Sequence, residues 1–202
     1  MRRAFQVLVY NGTTGDYAEF GCLGGRTFTL AHGAAKLLGH DAHLWAFDSF
    51  EGLPASDDPR DAHVSWSKGA MTMTEQAFID QCRSRGMAAQ DFTTVKGFYS
   101  DTLREGAPDP RPDRVCFAYV DCDLYSSTAD VLRFLAPRIC NGAVVAFDDY
   151  YCYSDSHPSG ERLAAGEIFG CHQDWRLVPF IQWGWAEMSF MVESRHTAPS
   201  LA

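Results

Sequence analysis

Two pairs of aspartates follow apolar segments that are typical of buried strands. Asp121 and Asp123 come after VCFAYV at 115–120, and Asp148 and Asp149 come after AVVAF at 143–147. If these strands are neighbours, the carboxylates meet at one sheet edge, where two charges about 4 Å apart repel by about 4 kcal/mol at an effective dielectric near 20. A hard cation such as Mg²⁺ neutralises such a group. We therefore predict a magnesium site on Asp121 and one or both of Asp148 and Asp149. Asp123 either orients the first turn of the next helix or supports the ligands. The alternative is that all four aspartates cap helices and turns.

A glycine-rich turn follows an earlier strand, in the segment EFGCLGGRT at 19–27. Glycines between a strand and a helix let a ligand approach the backbone, with helix N–H groups pointing at it. The spacing G-x-x-G-G differs from the dinucleotide fingerprint, so a tight turn without a ligand is an equal alternative. Asp48 ends the next strand, where an acidic residue can accept hydrogen bonds from a ribose. Together the two features favour a nucleoside site; otherwise Asp48 caps the loop that follows.

Alternating strands and helices must position these residues. Apolar runs predict strands at 17–22, 43–48, 92–96, 115–121, 143–148, 177–181 and 187–193. Helical spacing predicts helices at 25–38, 74–85, 127–137 and 160–172, a helical turn at 100–104, and loops at 49–70 and 108–112. This order indicates a parallel α/β sheet with helices on both faces. Ligands bind such sheets at the carboxyl ends of the strands, where the glycine turn and the aspartates lie.

Composition excludes several classes of protein. The 202 residues include 17 basic and 26 acidic side chains, and a net charge of −9 argues against nucleic acid or anionic lipid as a partner. No apolar run is long enough to span a membrane, and the N-terminus lacks the pattern of a signal peptide. The seven cysteines are scattered without a CxxC pair, which argues against a disulfide framework or a zinc site and favours a cytoplasmic protein. The length suits one domain, 1–202.

Five motifs in order give the chain a specific resemblance. They are GDYAEFGCLGGRT at 15–27, FDSFEGLP at 47–54, WSKG at 66–69, VDCDLYSST at 120–128 and FDDY at 147–150, with a weaker echo in IQWGW at 181–185. Together they resemble the S-adenosylmethionine-dependent O-methyltransferases typified by macrocin, mycinamicin and novobiocin-pathway enzymes. The resemblance implies a class I methyltransferase fold, Rossmann-like, with a seven-stranded sheet whose last strand is antiparallel.

The resemblance also implies roles for individual residues. It places Glu19, Gly21 and Thr27 at the methionine part of S-adenosylmethionine and Asp48 at the ribose, and the neighbouring Cys22 and Ser49 are included in the predicted cofactor site. It places Mg²⁺ on Asp121, Asp148 and Asp149. The implied acceptor is a sugar hydroxyl of a glycosylated natural product or an oligosaccharide. A homodimer is a candidate assembly.

One departure concerns the substrate lid. Fewer residues precede the glycine turn than in the antibiotic-pathway members, so we expect the lid to come from the loop at 49–70 or from 150–160. We also expect an open cleft that suits a larger or polymeric sugar.

The expected chemistry is transfer of a methyl group to a hydroxyl made more acidic by the metal. Asp121, Asp123 and His157 are the candidate proton acceptors, and for His157 an exposed loop histidine is the alternative. Three rival functions remain open at this stage. They are a haloacid-dehalogenase-like Mg²⁺ phosphatase, a nucleotide-sugar glycosyltransferase with a D-x-D metal site, and a non-catalytic nucleoside-binding module on a methyltransferase fold.

Overall fold

A seven-stranded sheet forms the centre of the computed structural model, which describes residues 1–107 and 110–196. The strand order is β3-β2-β1-β4-β5-β7-β6, and β7 alone runs antiparallel to its neighbours. The strands are β1 (Asp16–Phe20), β2 (Leu44–Asp48), β3 (Phe92–Lys96), β4 (Val115–Val120), β5 (Ile139–Phe147), β6 (Trp175–Ile181) and β7 (Met188–Ser194). The predicted fold class, including the antiparallel last strand, is confirmed.

Helices cover both faces of the sheet. They are α1 (Arg2–Tyr10), α2 (Arg26–Leu38), α3 (Glu75–Ser84), α4 (Tyr99–Thr102), α5 (Tyr125–Leu135) and α6 (Gly160–Phe169). Short 3₁₀ turns lie at Leu23–Gly25, Pro59–Asp61 and Ala89–Asp91. None of these helices, within the described part of the chain, is long and apolar enough to cross a bilayer.

Aromatic residues join the helices to the strands that carry the site. On one face Phe5 of α1 packs edge-on against Phe117 of β4, and Phe28 of α2 contacts Tyr17 of β1. On the other face Phe134 of α5 contacts Phe20 and Phe47 at the ends of β1 and β2. All six residues of β4 are buried, as its continuous apolar sequence predicts. The strand ends are therefore held from both sides.

Helix α1 was not predicted. It contains the buried residues Ala4, Phe5 and Leu8, a spacing that places them on one helical face. The sequence offers too short a pattern to separate this helix from an ordinary apolar stretch, since its stability comes from packing against the sheet.

Other boundaries shift by a few residues. Helix α5 begins two residues before the predicted start at 127, with Leu124 at its N-cap and no side-chain cap. Strand β5 begins at Ile139 rather than at 143. The predicted loop at 108–112 lies partly outside the described residues, which omit 108 and 109.

Candidate active site

Three aspartates meet where β4 and β5 end. Asp121, Asp123 and Asp149 each offer a carboxylate oxygen, and these oxygens lie within 4.8 Å of one another. The parallel pairing of Val120 with Phe147 produces this arrangement, because each strand is followed directly by acidic residues. We refer to Asp121, Asp123 and Asp149 as the acidic cluster.

Ionisation of Asp121 and Asp123 is unfavourable within the acidic cluster. Burial raises the pKa of Asp121 well above its usual range, and the charges of Asp148, Asp123 and Asp149 raise it further. Burial, followed by the charge of Asp149, raises the pKa of Asp123 to about 8. Asp123 also has a left-handed backbone with φ of 60°, a conformation that costs an L-residue roughly 1–2 kcal/mol. The acidic cluster is thus energetically unfavourable for two reasons: carboxyl groups are buried close together, and the backbone of Asp123 is left-handed.

Asp148 lies beside the acidic cluster rather than within it. The hydroxyl of Tyr119 donates a hydrogen bond to its Oδ1. Among the neighbouring charges, that of Asp148 has the largest effect in raising the pKa of Asp121, so the two carboxyls are near one another. The sequence predicted Asp121, Asp148 and Asp149 as ligands, whereas the structure groups Asp123 with Asp121 and Asp149. The ligand set itself stays a prediction.

A buried glutamate that the sequence analysis missed joins the two aspartate loops. Glu161, in the first turn of α6, is fully buried. Its Oε1 accepts the backbone N–H of Cys122 at 3.2 Å, and its Oε2 accepts that of Asp149 at 2.9 Å. Burial raises the pKa of Glu161 well above its usual range, and the charges of Asp149 and Asp121 add to this. Its one sequence signal is an acidic residue at a helix start, which is common without any functional role.

The glycine turn packs directly against the acidic cluster. Gly21 has φ of 89°, and a Cβ there would overlap the carbonyl oxygen of Asp121, so a side chain does not fit. Gly24 and Gly25 also have left-handed backbones, which lets the chain turn from β1 into α2. The close approach of β1 to β4 therefore depends on Gly21.

Asp48 holds the glycine turn through its carboxylate. Its Oδ2 accepts the N–H of Cys22, and its Oδ1 accepts the N–H of Phe50, both at 2.7 Å. Burial raises the pKa of Asp48, and these two hydrogen bonds oppose that rise. The capping role that the sequence left open is thus present. Asp48 also lines a cavity that lies between the glycine turn, the end of β2 and the acidic cluster, which we call the main cavity. The predicted contact of Asp48 with a ribose stays a prediction.

Glu19 and Thr27 lie behind the turn. Glu19 is fully buried, and it accepts hydrogen bonds from the hydroxyls of Tyr17 and Thr27, the latter at 2.7 Å. Burial raises the pKa of Glu19 to about 8. Neither Glu19 nor Thr27 lines the main cavity; Thr27 lines a separate cavity of about 390 Å³ that also contacts Tyr119 and Trp183. Their predicted contacts with a methionine group stay predictions.

The main cavity has a volume of about 430 Å³, and we call it so because it adjoins the predicted site and not because of its size. A cavity of about 530 Å³, lined by residues that include Arg104 and Arg133, is larger. The size of the main cavity is within the range of ligand pockets. Predicted site residues supply part of its wall: Gly21, Asp48, Ser49, Asp121 and Asp123. Residues outside the prediction supply the rest: Leu23, Gly52, Leu53, Pro54, Ala55, Met71, Gly97, Phe98, Tyr99, Ser100, Cys122, Ser126, Ser127 and Asp130.

Part of the loop at 49–70 forms one wall of this cavity, and its role as a lid stays a prediction. Buried Asp61 anchors it: the carboxylate accepts hydrogen bonds from the N–H and hydroxyl of Ser126 at 2.9 and 2.6 Å, and from the hydroxyl of Ser56 at 2.5 Å. Ser126 belongs to the first turn of α5, so the loop is attached to the element that follows the acidic cluster.

His157, a predicted proton acceptor, contacts this loop and not the acidic cluster. Its Nε2 lies 3.1 Å from the carbonyl oxygen of Pro59, which can only accept, so Nε2 is the donor. Its Nδ1 lies 2.8 Å from the hydroxyl of Ser156. Both ring nitrogens are occupied, which argues against His157 as the base in this arrangement.

Comparison with known proteins supplies the family. Residues 1–162 match the family model of macrocin-O-methyltransferase (TylF). The chain belongs to the macrocin O-methyltransferase family. Because the chain belongs to this family, the alternative of a haloacid-dehalogenase-like phosphatase is wrong. The D-x-D motif follows the fourth strand of a methyltransferase fold.

Two curated proteins are similar in sequence to this chain. The 8-demethyl-8-(2,3-dimethoxy-alpha-L-rhamnosyl)-tetracenomycin-C 4'-O-methyltransferase of Streptomyces olivaceus is 28% identical over 151 residues, which is 72% of this chain and 56% of the relative. The mycinamicin III 3''-O-methyltransferase of Micromonospora griseorubida is 29% identical over 148 residues, or 69% of this chain and 57% of the relative. The chain thus matches little more than half the length of these relatives.

A solved structure of the same fold agrees with the sheet topology. The O-methyltransferase NovP superposes with a TM-score of 0.75 at 21% identity, covering 96% of this chain and 78% of NovP. At this identity the match concerns the fold, which is that of class I methyltransferases.

Proposed function

We propose that this protein is an S-adenosylmethionine- and Mg²⁺-dependent O-methyltransferase that methylates a hydroxyl of a sugar. The observation that carries the proposal is the acidic cluster at the wall of the 430 Å³ cavity, next to the glycine turn. Family membership supports methyl transfer, and the names of the relatives support a sugar-bearing acceptor.

The residues of the acidic cluster fit a magnesium ion. All three offer carboxylate oxygens, which are the ligands that Mg²⁺ prefers. The raised pKa values of Asp121 and Asp123 show that the protein alone does not stabilise the charges of these two carboxyls. Asp121, Asp123 and Asp149 would hold the ion, with Asp148 near enough to join after release from Tyr119. When bound, Mg²⁺ supplies Lewis acidity that lowers the pKa of a neighbouring hydroxyl.

The main cavity fits a nucleoside-containing donor. Apolar side chains of Leu53, Met71 and Phe98 offer surfaces for a base, while Asp48 and Ser49 offer polar groups at the end of β2. S-adenosylmethionine supplies an electrophilic methyl group when bound.

The chain's own residues then orient the acceptor and take its proton. Asp123 is the preferred proton acceptor, because it lines the cavity and, with one carboxylate oxygen holding the ion, would have its second oxygen left to take the proton. Asp121 is the alternative acceptor. The loop at 49–70 limits water in the cavity, since Leu53, Pro54 and Ala55 form its wall. Orientation of two reactants within about 3–3.5 Å contributes several kcal/mol to the lowering of the barrier.

The test is calorimetric binding of S-adenosylhomocysteine, followed by transfer of an isotope-labelled methyl group to a panel of rhamnosides and larger glycosides. We expect donor binding in the micromolar range and transfer that stops on addition of a chelator. Donor binding with no transfer to any glycoside would support a non-catalytic module. Transfer that continues unchanged in excess chelator would remove Mg²⁺ from the proposal.

A further inference from the structure

Glu161 connects the two loops that carry the acidic cluster. One loop contains Asp121, Cys122 and Asp123 after β4, and the other begins at Asp148 after β5 and contains Asp149. The two oxygens of a single side chain accept one backbone N–H from each loop, at 3.2 and 2.9 Å. The distance between the loops is therefore set by the width of one carboxylate.

A carboxylate is energetically unfavourable at the position of Glu161. Glu161 is fully buried, and it faces the negative charges of Asp149 and Asp121. A buried charge without a cationic partner is unfavourable unless hydrogen bonds compensate it. The two N–H groups supply this compensation, and an amide side chain could not accept from both with its single oxygen.

The start of α6 packs tightly against the same loop. Gly160 has φ of 60°, and a Cβ there would lie 3.3 Å from the carbonyl oxygen of Asp123. The N–H of Leu124 donates to the carbonyl of Cys122 at 2.6 Å, which closes the turn around Asp123. The left-handed backbone of Asp123 is thus held from the side of α6 and from within its own turn.

We propose that Glu161 is a positioning residue for the cation site: it fixes the spacing of the two aspartate loops and thereby sets the affinity for a divalent ion. The inference rests on the proposed function. It adds a determinant outside the ligands, on a helix that begins 11 residues after Asp149.

The main test is Glu161→Gln, which keeps the size of the side chain and replaces one acceptor oxygen by a donor that faces an N–H group. The matched control is Glu167→Gln on the same helix, because Glu167 is exposed and accepts from the hydroxyl of Tyr125 at 2.5 Å, away from the cluster. The probe is Mn²⁺ alone, with bound ion counted by electron paramagnetic resonance in the absence of any acceptor. Affinity for S-adenosylhomocysteine is measured in parallel.

We expect Glu161→Gln to weaken Mn²⁺ binding by about 10- to 100-fold, the usual effect of losing a group that orients metal ligands. Affinity for S-adenosylhomocysteine should change less than about twofold, and Glu167→Gln should match the wild type in both. Equal Mn²⁺ affinity in Glu161→Gln and wild type would overturn the inference and leave the proposed function intact. Absence of Mn²⁺ binding in the wild type would instead overturn the metal part of the proposed function.

A second variant covers the case in which Glu161→Gln does not fold. Gly160→Ala keeps the carboxylate but pushes the start of α6 away from the carbonyl of Asp123. We expect a several-fold loss of Mn²⁺ affinity with unchanged donor affinity. A folded Gly160→Ala variant with wild-type affinity for both ligands would contradict the proposed coupling between α6 and the cluster.

Discussion

Replacing Asp121 by Asn should stabilise the metal-free protein while removing its response to Mg²⁺. The side chain keeps its shape, but one of three carboxylates in the acidic cluster loses its charge. At 4.8 Å and an effective dielectric near 20, each pair of charges repels by about 3.5 kcal/mol, and Asp121 contributes to two such pairs. Asp121 and Asp123 limit this repulsion by binding protons, as the raised pKa values of these two carboxyls show.

We therefore expect the free energy of unfolding to rise by about 2 kcal/mol in the absence of metal, within the usual range for single substitutions. For a chain of this size that corresponds to an increase in melting temperature of about 4–8 °C. In the wild type, Mg²⁺ at 100 times its dissociation constant should add about 2.7 kcal/mol, and the variant should gain almost none of this. Methyl transfer should be lost, with donor binding largely kept.

The assay is calorimetric unfolding in chelator and in Mg²⁺, with Asp41→Asn as the control because Asp41 is an exposed aspartate between α2 and β2. A variant that is less stable than both wild type and control in chelator would refute the argument from repulsion. A variant that Mg²⁺ stabilises as much as it stabilises the wild type would show that Asp121 does not hold the ion.

Two further predictions concern buried acids outside the cluster. Glu19 has a pKa near 8 in the folded protein against 4.5 in the unfolded chain, so the folded state binds the extra proton between these values. Wild-type stability should therefore fall by about 2 kcal/mol more than that of Glu19→Gln from pH 6 to 8 in denaturant titrations, and parallel curves would contradict the assigned pKa. Asp61→Asn should lower stability by about 1–3 kcal/mol and weaken donor binding, because Asp61 anchors a cavity wall to Ser126. Exposed Asp57→Asn should do neither, and unchanged calorimetric affinity in Asp61→Asn would exclude this loop from the donor site.

The sequence predicted those parts of the site that depend on strand ends. A parallel pairing of β4 with β5 brings the residues that follow each strand to one edge of the sheet, so the sequence alone places Asp121 and Asp149 together. The glycine turn was predictable for a similar reason. Gly21 must be glycine because β4 passes too close for a side chain.

The remaining parts depend on contacts that no local pattern encodes. Asp148 pairs with Tyr119 across the sheet, and Asp123 faces the cluster because its backbone is left-handed. Glu161 is brought to the two loops by the packing of α6, which a helix-start glutamate alone does not reveal. Helix α1 forms through its contact with β4, and its own pattern is too short to predict it.

The arrangement of charges argues that the acidic edge is retained for binding. Burial raises the pKa of every one of a set of acids around the ends of β1, β2, β4 and β5: Glu19, Asp48, Asp121, Asp123, Asp148 and Glu161. For each acid the folded state keeps a proton that the unfolded chain has lost, so the free energy of unfolding falls as pH rises from the acid's ordinary pKa toward its raised pKa. Neutral amides of the same shape would remove this cost at Asp121 and Asp123. A cation recovers it, because it favours the charged form of every carboxyl near it. Stability that depends on a ligand is the behaviour expected of a binding site.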